Sequence, residues 1–345
     1  MNNNLKRKKF FCIITLVIVI AFHSAFLYGE KWWNVYFTSP HKKESAEQMS
    51  DPETALIIKI RNTKKSFYGA FYDITSQSII KEIIDADRRK VDVKLVLERD
   101  NLRKKETKEL INSGIKIIPD NRKGLMHNKF AIIDDLIVWT GSMNLTGNDT
   151  FKNNNNVIEI HSEELAKIYL EEFNEMFNCK IFGNRKEQTI FPSFRKKYYV
   201  KIGDTDINVY FSPEDNIERI ITERIKKAKQ TIHFMAFAFT SNKLSDEMIL
   251  LHKKGVSVHG IIEKIGSNSK DSKYVKLKLE GIDVKLDKNR HKMHHKVIII
   301  DERITITGSY NFSKSANEKN DENILILHNE DIAKLYLEEF FKLFK

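Results

Sequence analysis

Cysteine is nearly missing from this 345-residue chain, which has two. Cys12 falls in an apolar run and Cys179 stands alone in the globular part, so no intramolecular disulfide framework can form, even in an oxidising compartment. Proline and glycine are sparse as well, at 5 and 13 residues, so a stretch that gathers them stands out. Residues 179–203 carry Gly183, Pro192 and Gly203, break the surrounding periodicity and read as a linker. Its Arg185, Lys186, Arg195, Lys196 and Lys197 alternate with aromatic residues, a composition that can grip phosphates or simply solvate its charges and pack its rings. Beside the densest imidazole cluster, His291, His294 and His295, there is no Cys or carboxylate at a ligand spacing. Lys292 and Lys296 would repel a cation there, so no metal site is expected. His291 and His295 are read as residues of a cleft rim.

Acidic residues are outnumbered, 47 against 58 basic ones, for a net charge of +11. Lys6, Arg7, Lys8 and Lys9 supply four of these charges. The remaining basic body suits a polyanion, either nucleic acid or an anionic bilayer, or serves solubility. Behind that cluster, residues 10–28 are largely apolar and long enough to cross a hydrocarbon core as a helix. Cleavage after Ala25 would put His23 where a small residue is needed. The expectation is a single N-terminal anchor over residues 1–28 with the rest outside the cytoplasm, the alternative being secretion after signal cleavage. Residues 29–50 read as a tether, with Trp32, Trp33 and Tyr36 suited to a membrane interface or to packing.

What the chain has in place of cysteines is a repeat. GLMHNKFAIIDDLIVWTGSMN at 124–144 returns as HKMHHKVIIIDERITITGSYN at 291–311. His127, Lys129, Asp134, Gly141, Ser142 and Asn144 match His294, Lys296, Asp301, Gly308, Ser309 and Asn311 at a constant offset of 167. Without a gap, residues 127–173 agree with 294–340 at 22 of 47 positions, the mark of an internal duplication. The apolar quartets FAII and VIII, each followed by a second β-rich run, predict two successive strands. Alternation along a strand puts His and Lys on one face, while Asp, of opposite parity, falls at the turn and reads as a positioner. Further strands and amphipathic helices alternate before and after each motif, which argues for an α/β fold. The lobes are expected at 51–178 and 204–345.

The paired patterns HNKFAIID with TGSMN and HHKVIIID with TGSYN resemble the two HKD motifs of the phospholipase D superfamily, which includes phospholipases, cardiolipin synthases, nucleases and tyrosyl-DNA phosphodiesterases. The resemblance implies two lobes, each a mixed β-sheet flanked by helices, packed about a pseudo-twofold axis with both motifs in one cleft. It also implies metal-free chemistry without a cofactor. One imidazole attacks phosphorus to give a covalent phosphohistidine, and the other protonates the leaving alkoxide and later activates water. Lys129, Lys296, Asn144 and Asn311, with help from Ser142 and Ser309, are expected to hold the phosphate oxygens.

The repeats differ at one informative position: the second has Glu322 where the first has Asn155. Family resemblance leads us to expect Glu322 to support His294, raising its pKa and making it the proton donor, with His127 as the nucleophile. The favoured activity is hydrolysis of a phospholipid head-group phosphodiester. A metal-independent exported endonuclease acting on DNA or RNA is the alternative. Phosphatidyl transfer of the cardiolipin synthase kind and an inactive phosphate-binding module come behind both. No protein partner is expected.

Overall fold

Short strands alternate with helices, most of whose starts are written in capping side chains. In the computed structural model, which describes residues 31–40, 51–183 and 198–345, Asp51 accepts from the Glu53 N–H at 2.9 Å and starts α1 (Pro52–Asn62). Ser76 caps α2 (Gln77–Arg88), and Ser162 caps the helix Glu163–Phe177 that closes the first lobe. Each such oxygen satisfies an N–H that the first helical turn cannot. The first lobe also holds β1 (Trp33–Phe37), β2 (Ser66–Phe71), β3 (Asp92–Glu98), α3 (Lys105–Asn112), β4 (Lys116–Asp120), β5 (Lys129–Ile133), β6 (Ile137–Gly141), α4 (Gly147–Phe151) and β7 (Asn156–His161). The closing helix is α5.

The second lobe runs β8 (Tyr199–Ile202), β9 (Thr205–Ser212), α6 (Ile217–Ile225), β10 (Thr231–Ala236), α7 (Asn242–Lys253), β11 (Ser257–Ile262), α8 (Tyr274–Leu279), β12 (Asp283–Leu286), β13 (Lys296–Ile300), β14 (Ile304–Gly308), α9 (Lys314–Glu318), β15 (Glu322–His328) and α10 (Glu330–Leu343). Its sheet order, β12-β11-β10-β13-β14-β15-β9-β8, repeats that of the first, β4-β3-β2-β5-β6-β7-β1. Each is mixed, since β2, β3 and β4 pair in parallel whereas β5, β6 and β7 are antiparallel. In β2, Phe67 and Phe71 bury into a core shared with α1, α2 and α3, while Tyr68, of opposite parity, stacks on Phe173 of α5. Helices therefore cover both faces.

The tether expected at 29–50 needs correcting, because residues 33–37 form a strand and its Val35–Phe37 end lies with the lobe-one sheet. The signal was in the sequence: NVYFTSP at 34–40 returns as NVYFSP at 208–213, and β9 is the matching strand of lobe two. The expected anchor over 1–28, residues 41–50 and most of the expected linker lie outside the described residues. Among the described residues, no helix is long and apolar enough to cross a membrane.

Asp134 and Asp301 sit at left-handed turns, with φ of 54° and 50°, at the ends of β5 and β13. Asp134 accepts the backbone N–H groups of Lys64, Lys65 and Ser66 at 2.7–3.1 Å, and Asp301 those of Lys229, Gln230 and Thr231 at the same distances. Each carboxylate therefore staples the start of a neighbouring strand. Both lie about 16 Å of strand from their lysines, at the turn where parity put them, and they position backbone as the sequence suggested. Asp134→Ala should cost roughly 1–3 kcal/mol of stability by leaving those donors unmet. Thermal unfolding and activity per folded molecule check this: a lower Tm with unchanged kcat is expected, and a lost kcat at unchanged Tm would contradict it.

Candidate active site

The two motifs are brought together by backbone exchange between the lobes. Just before β5, the His127 N–H donates to Asp321 O at 2.9 Å and the Asp321 N–H to Leu125 O at 2.8 Å. Before β13, His294 N–H donates to Asn154 O at 2.8 Å and Asn154 N–H to Lys292 O at 2.8 Å. The bridges Met126↔Asp321 and Asn154↔Met293 map onto each other under the repeat offset, as a pseudo-twofold requires. Glu98 and Glu263 hold these segments from behind, accepting from the Met126 and Met293 N–H groups at 2.8 and 2.6 Å.

The imidazoles are then oriented crosswise. His127 Nδ1 lies 2.7 Å from Glu322 Oε2, and His294 Nδ1 lies 2.9 Å from Asn155 Oδ1. This overturns the expected pairing of Glu322 with His294: each lobe supplies the acceptor for the other lobe's histidine. A carboxylate accepts only, and Asn155 has committed its Nδ2 to Asp149 O at 3.1 Å, so both rings present Nδ1–H to their partners and Nε2 elsewhere. Tyr72 and Phe237 pack against His127 and His294, with centroids 5.0 and 4.7 Å apart. The two residues are 9% and 7% exposed.

Burial dominates the titration here. It pushes the His127 pKa down, with Lys129 and Lys296 adding to it and Glu322 opposing. His294 lies well below its ordinary value through burial, Lys296, Lys129 and His127. The expected rise at His294 is therefore reversed, because no carboxylate bonds its ring. Burial also lowers Lys129 to about 8 and Lys296 well below its usual range, the latter helped by Lys129. Each ammonium gives one hydrogen to the carbonyl of its own motif histidine, at 2.7 and 2.8 Å, which leaves two for an anion.

Ser142 and Ser309 do not fit as phosphate ligands. Both are fully buried. Ser142 Oγ donates to Asn155 Oδ1 at 3.0 Å and accepts from Asn156 N–H, while Ser309 Oγ donates to Glu322 Oε2 at 2.8 Å and accepts from Asn323 N–H. Their one hydrogen is spent fixing the acceptors of the histidines. Gly141 and Gly308 permit this approach, since a Cβ at either would meet a backbone oxygen of the neighbouring strand at 2.2 Å. Asn144 is tied through its N–H and Nδ2 to Asp149 Oδ2 at 2.9 and 2.6 Å. Asn144 and Asn311 each keep a buried Oδ1 without a hydrogen-bond partner.

His295 is not at a rim. It is fully buried between the lobes, where Asn156 Nδ2 reaches its Nδ1 at 2.9 Å and Asn156 Oδ1 accepts from Thr307 and Tyr336. Reciprocally, Asn323 donates to Asn128 Oδ1 at 2.8 Å and accepts from Thr140 and Tyr169. His291 is exposed, so the three imidazoles of that stretch occupy three different surroundings. Sequence reading passed over Asp149, Glu98, Glu263 and the two interlobe asparagines. Of these, only Asn156 and Asn323 repeat within the aligned 47 residues, and that repetition was the available signal.

Two lysine-flanked imidazoles with oriented Nδ1–H groups, placed by two copies of one α/β unit, define the phosphodiesterases of the phospholipase D superfamily. The family model described as "Cardiolipin synthase, PLD-like domain" matches residues 56–177 and 221–344, and the chain belongs to that family. It is 29% identical over 177 residues to a phospholipase D of Rickettsia prowazekii, covering 50% of this chain and 84% of that protein. It is 35% identical over 127 residues to the mitochondrial cardiolipin hydrolase of Canis lupus familiaris, covering 37% and 50%. The solved phosphatidylserine synthase of Haemophilus influenzae superposes with a TM-score of 0.66 at 17% identity, over 88% of this chain and 85% of that one, and shares the fold.

Proposed function

We propose that the chain hydrolyses the head-group phosphodiester of phospholipids through a covalent phosphohistidine on His127. The observation that carries this reading is the crosswise pairing of Glu322 with His127 Nδ1. When Nε2 attacks phosphorus the ring becomes cationic, and a carboxylate on Nδ1–H stabilises that charge. The P–O bond to the head group breaks as His294 passes its Nε2 proton to the leaving alkoxide. A water deprotonated by His294 then attacks phosphorus and frees His127. Held by a neutral amide, His294 is an acidic imidazolium once formed, suited to giving a proton away. Lys129 and Lys296 offset the charge on the non-bridging oxygens. The named phospholipase D and cardiolipin hydrolase relatives support a lipid substrate, and residues 10–28 would keep the enzyme at a bilayer.

The test is to incubate soluble protein, with and without EDTA, with phosphatidylcholine, cardiolipin, single-stranded DNA and RNA. Release of choline or of phosphatidic acid, unchanged by chelation, is expected. Nucleotide products without lipid cleavage would establish the nuclease alternative, and loss of activity reversed by metal would defeat the mechanism.

Lys129 adds a pH prediction. In the free protein its charge is lost as pH rises through about 8, so kcat/KM for an anionic diester should fall on that alkaline side. Lys129→Ala should be lower throughout and lack this limb. A wild-type profile flat to pH 9.5 would remove Lys129 from phosphate binding.

A further inference from the structure

The repeat carries a second exchange besides that of Glu322 for Asn155. Lobe two has Ala316 and Glu322 where lobe one has Asp149 and Asn155, so a carboxylate absent from one position of the repeated segment is present at the other. Ala316 lies in the apolar core of its lobe. Asp149, 3% exposed in α4, does something different. Its Oδ1 accepts from Asn153 Nδ2 at 2.5 Å and Asn155 Nδ2 at 3.3 Å and stands 4.0 Å from His294 Nδ1, while its Oδ2 holds Asn144. Its backbone oxygen takes the Asn155 Nδ2 as well. The amide is thereby pinned with Oδ1 toward His294 and Ser142.

We propose that Asp149, acting through Asn155, is the positioning residue of His294, replacing as a two-residue relay the single carboxylate that Glu322 gives His127. The proposal rests on the reading of His294 as the proton donor. The other titratable groups facing that ring are Lys296 and Lys292 from its own segment and Lys129 and His127 from the opposite motif, all cationic or able to become so. With Glu322 bonded to His127, Asp149 is the carboxylate that stands 4.0 Å from the His294 ring. Its charge also favours the protonated forms of Lys129 and Lys296. Pinning the amide fixes the Nδ1–H tautomer, and the negative charge favours the imidazolium that donates from Nε2.

The test compares an alkyl phosphodiester with its p-nitrophenyl counterpart, whose leaving group needs no proton, in Asp149→Ala, Asp149→Asn and the double variant Asp149→Ala/Asn155→Glu, which transplants the lobe-two arrangement. Asp149→Ala should lower kcat at least about tenfold on the alkyl ester and far less on the nitrophenyl ester. The alkaline limb of kcat should move down by about one pH unit, since removing the anion makes His294 easier to deprotonate. The double variant should recover both. Asp149→Asn, which keeps the side-chain volume, carries the comparison if the alanine variant does not fold. Equal losses on both esters with an unmoved limb, or a double variant no better than Asp149→Ala, would overturn the proposal. The underlying reading fails separately if His294→Asn keeps the wild-type ratio of the two rates.

Discussion

His127→Ala should leave no turnover above background on an alkyl phosphodiester, and His294→Ala should lose up to about 10⁴-fold, the upper end of what a placed proton donor supplies. The losses differ in kind. Without His127 there is no nitrogen to form the bond to phosphorus, and no choice of leaving group can restore it. Without His294 attack remains possible, so a p-nitrophenyl ester should still form the adduct but release it slowly for want of a base to activate water. Rapid quenching of His294→Asn with that ester, followed by peptide mapping, is expected to place a phosphohistidine, joined through a P–N bond, on His127. An adduct on His294 in the wild type, with His127 unmodified, would exchange the roles, and near-normal activity in either alanine variant would mean that the lobes work separately.

Glu322→Gln should reduce kcat on the order of 10³–10⁴-fold, the scale seen when an orienting carboxylate of a catalytic imidazole becomes an amide. Glu322 is fully buried, and it accepts from Ser309 and from Asn320 besides facing His127. A glutamine in its place can turn its NH₂ toward Nδ1, which makes Nδ1 the acceptor and puts the proton on Nε2, where the attacking lone pair must be. The pH profile separates this from a protonation effect. Glu322 raises the His127 pKa, so its removal lowers that value and increases the neutral fraction at acid pH. If neutrality alone mattered, the variant would gain activity there. The expected result is an acid limb moved down in pH beneath a greatly lowered plateau. A plateau within threefold of wild type would show that the carboxylate does not set the tautomer.

The duplicated motif made most of the site legible, because strand parity and repetition together select His127, Lys129, His294 and Lys296, and the four do meet. Parity also marked Asp134 and Asp301 as different, and they turn out to stitch strands at the far end. What sequence could not supply was the direction of pairing. A repeat says that Glu322 and Asn155 are equivalent, but not whether each serves its own lobe, since that depends on how the two sheets dock. Serine hydroxyls were similarly ambiguous, because a buried O–H can face a phosphate or a neighbour with equal chemistry. β1 was missed because a five-residue strand carries too few alternations to be recognised by period, although its NVYF echo in β9 was there to be read.

The crosswise acceptors have a consequence for synthesis. A chain emerging from the ribosome completes the first histidine and lysine long before residue 322 exists, so during that interval His127 has no carboxylate, its tautomer is unfixed, and His294 is absent. A product truncated anywhere upstream of β15 stays in that condition. Under the proposed mechanism, catalytic competence becomes a report that the last strand of the second sheet, which carries Glu322, has been made and docked. A ribosome-stalled or truncated chain ending before residue 320 should fold its first lobe to whatever extent it can and remain inert.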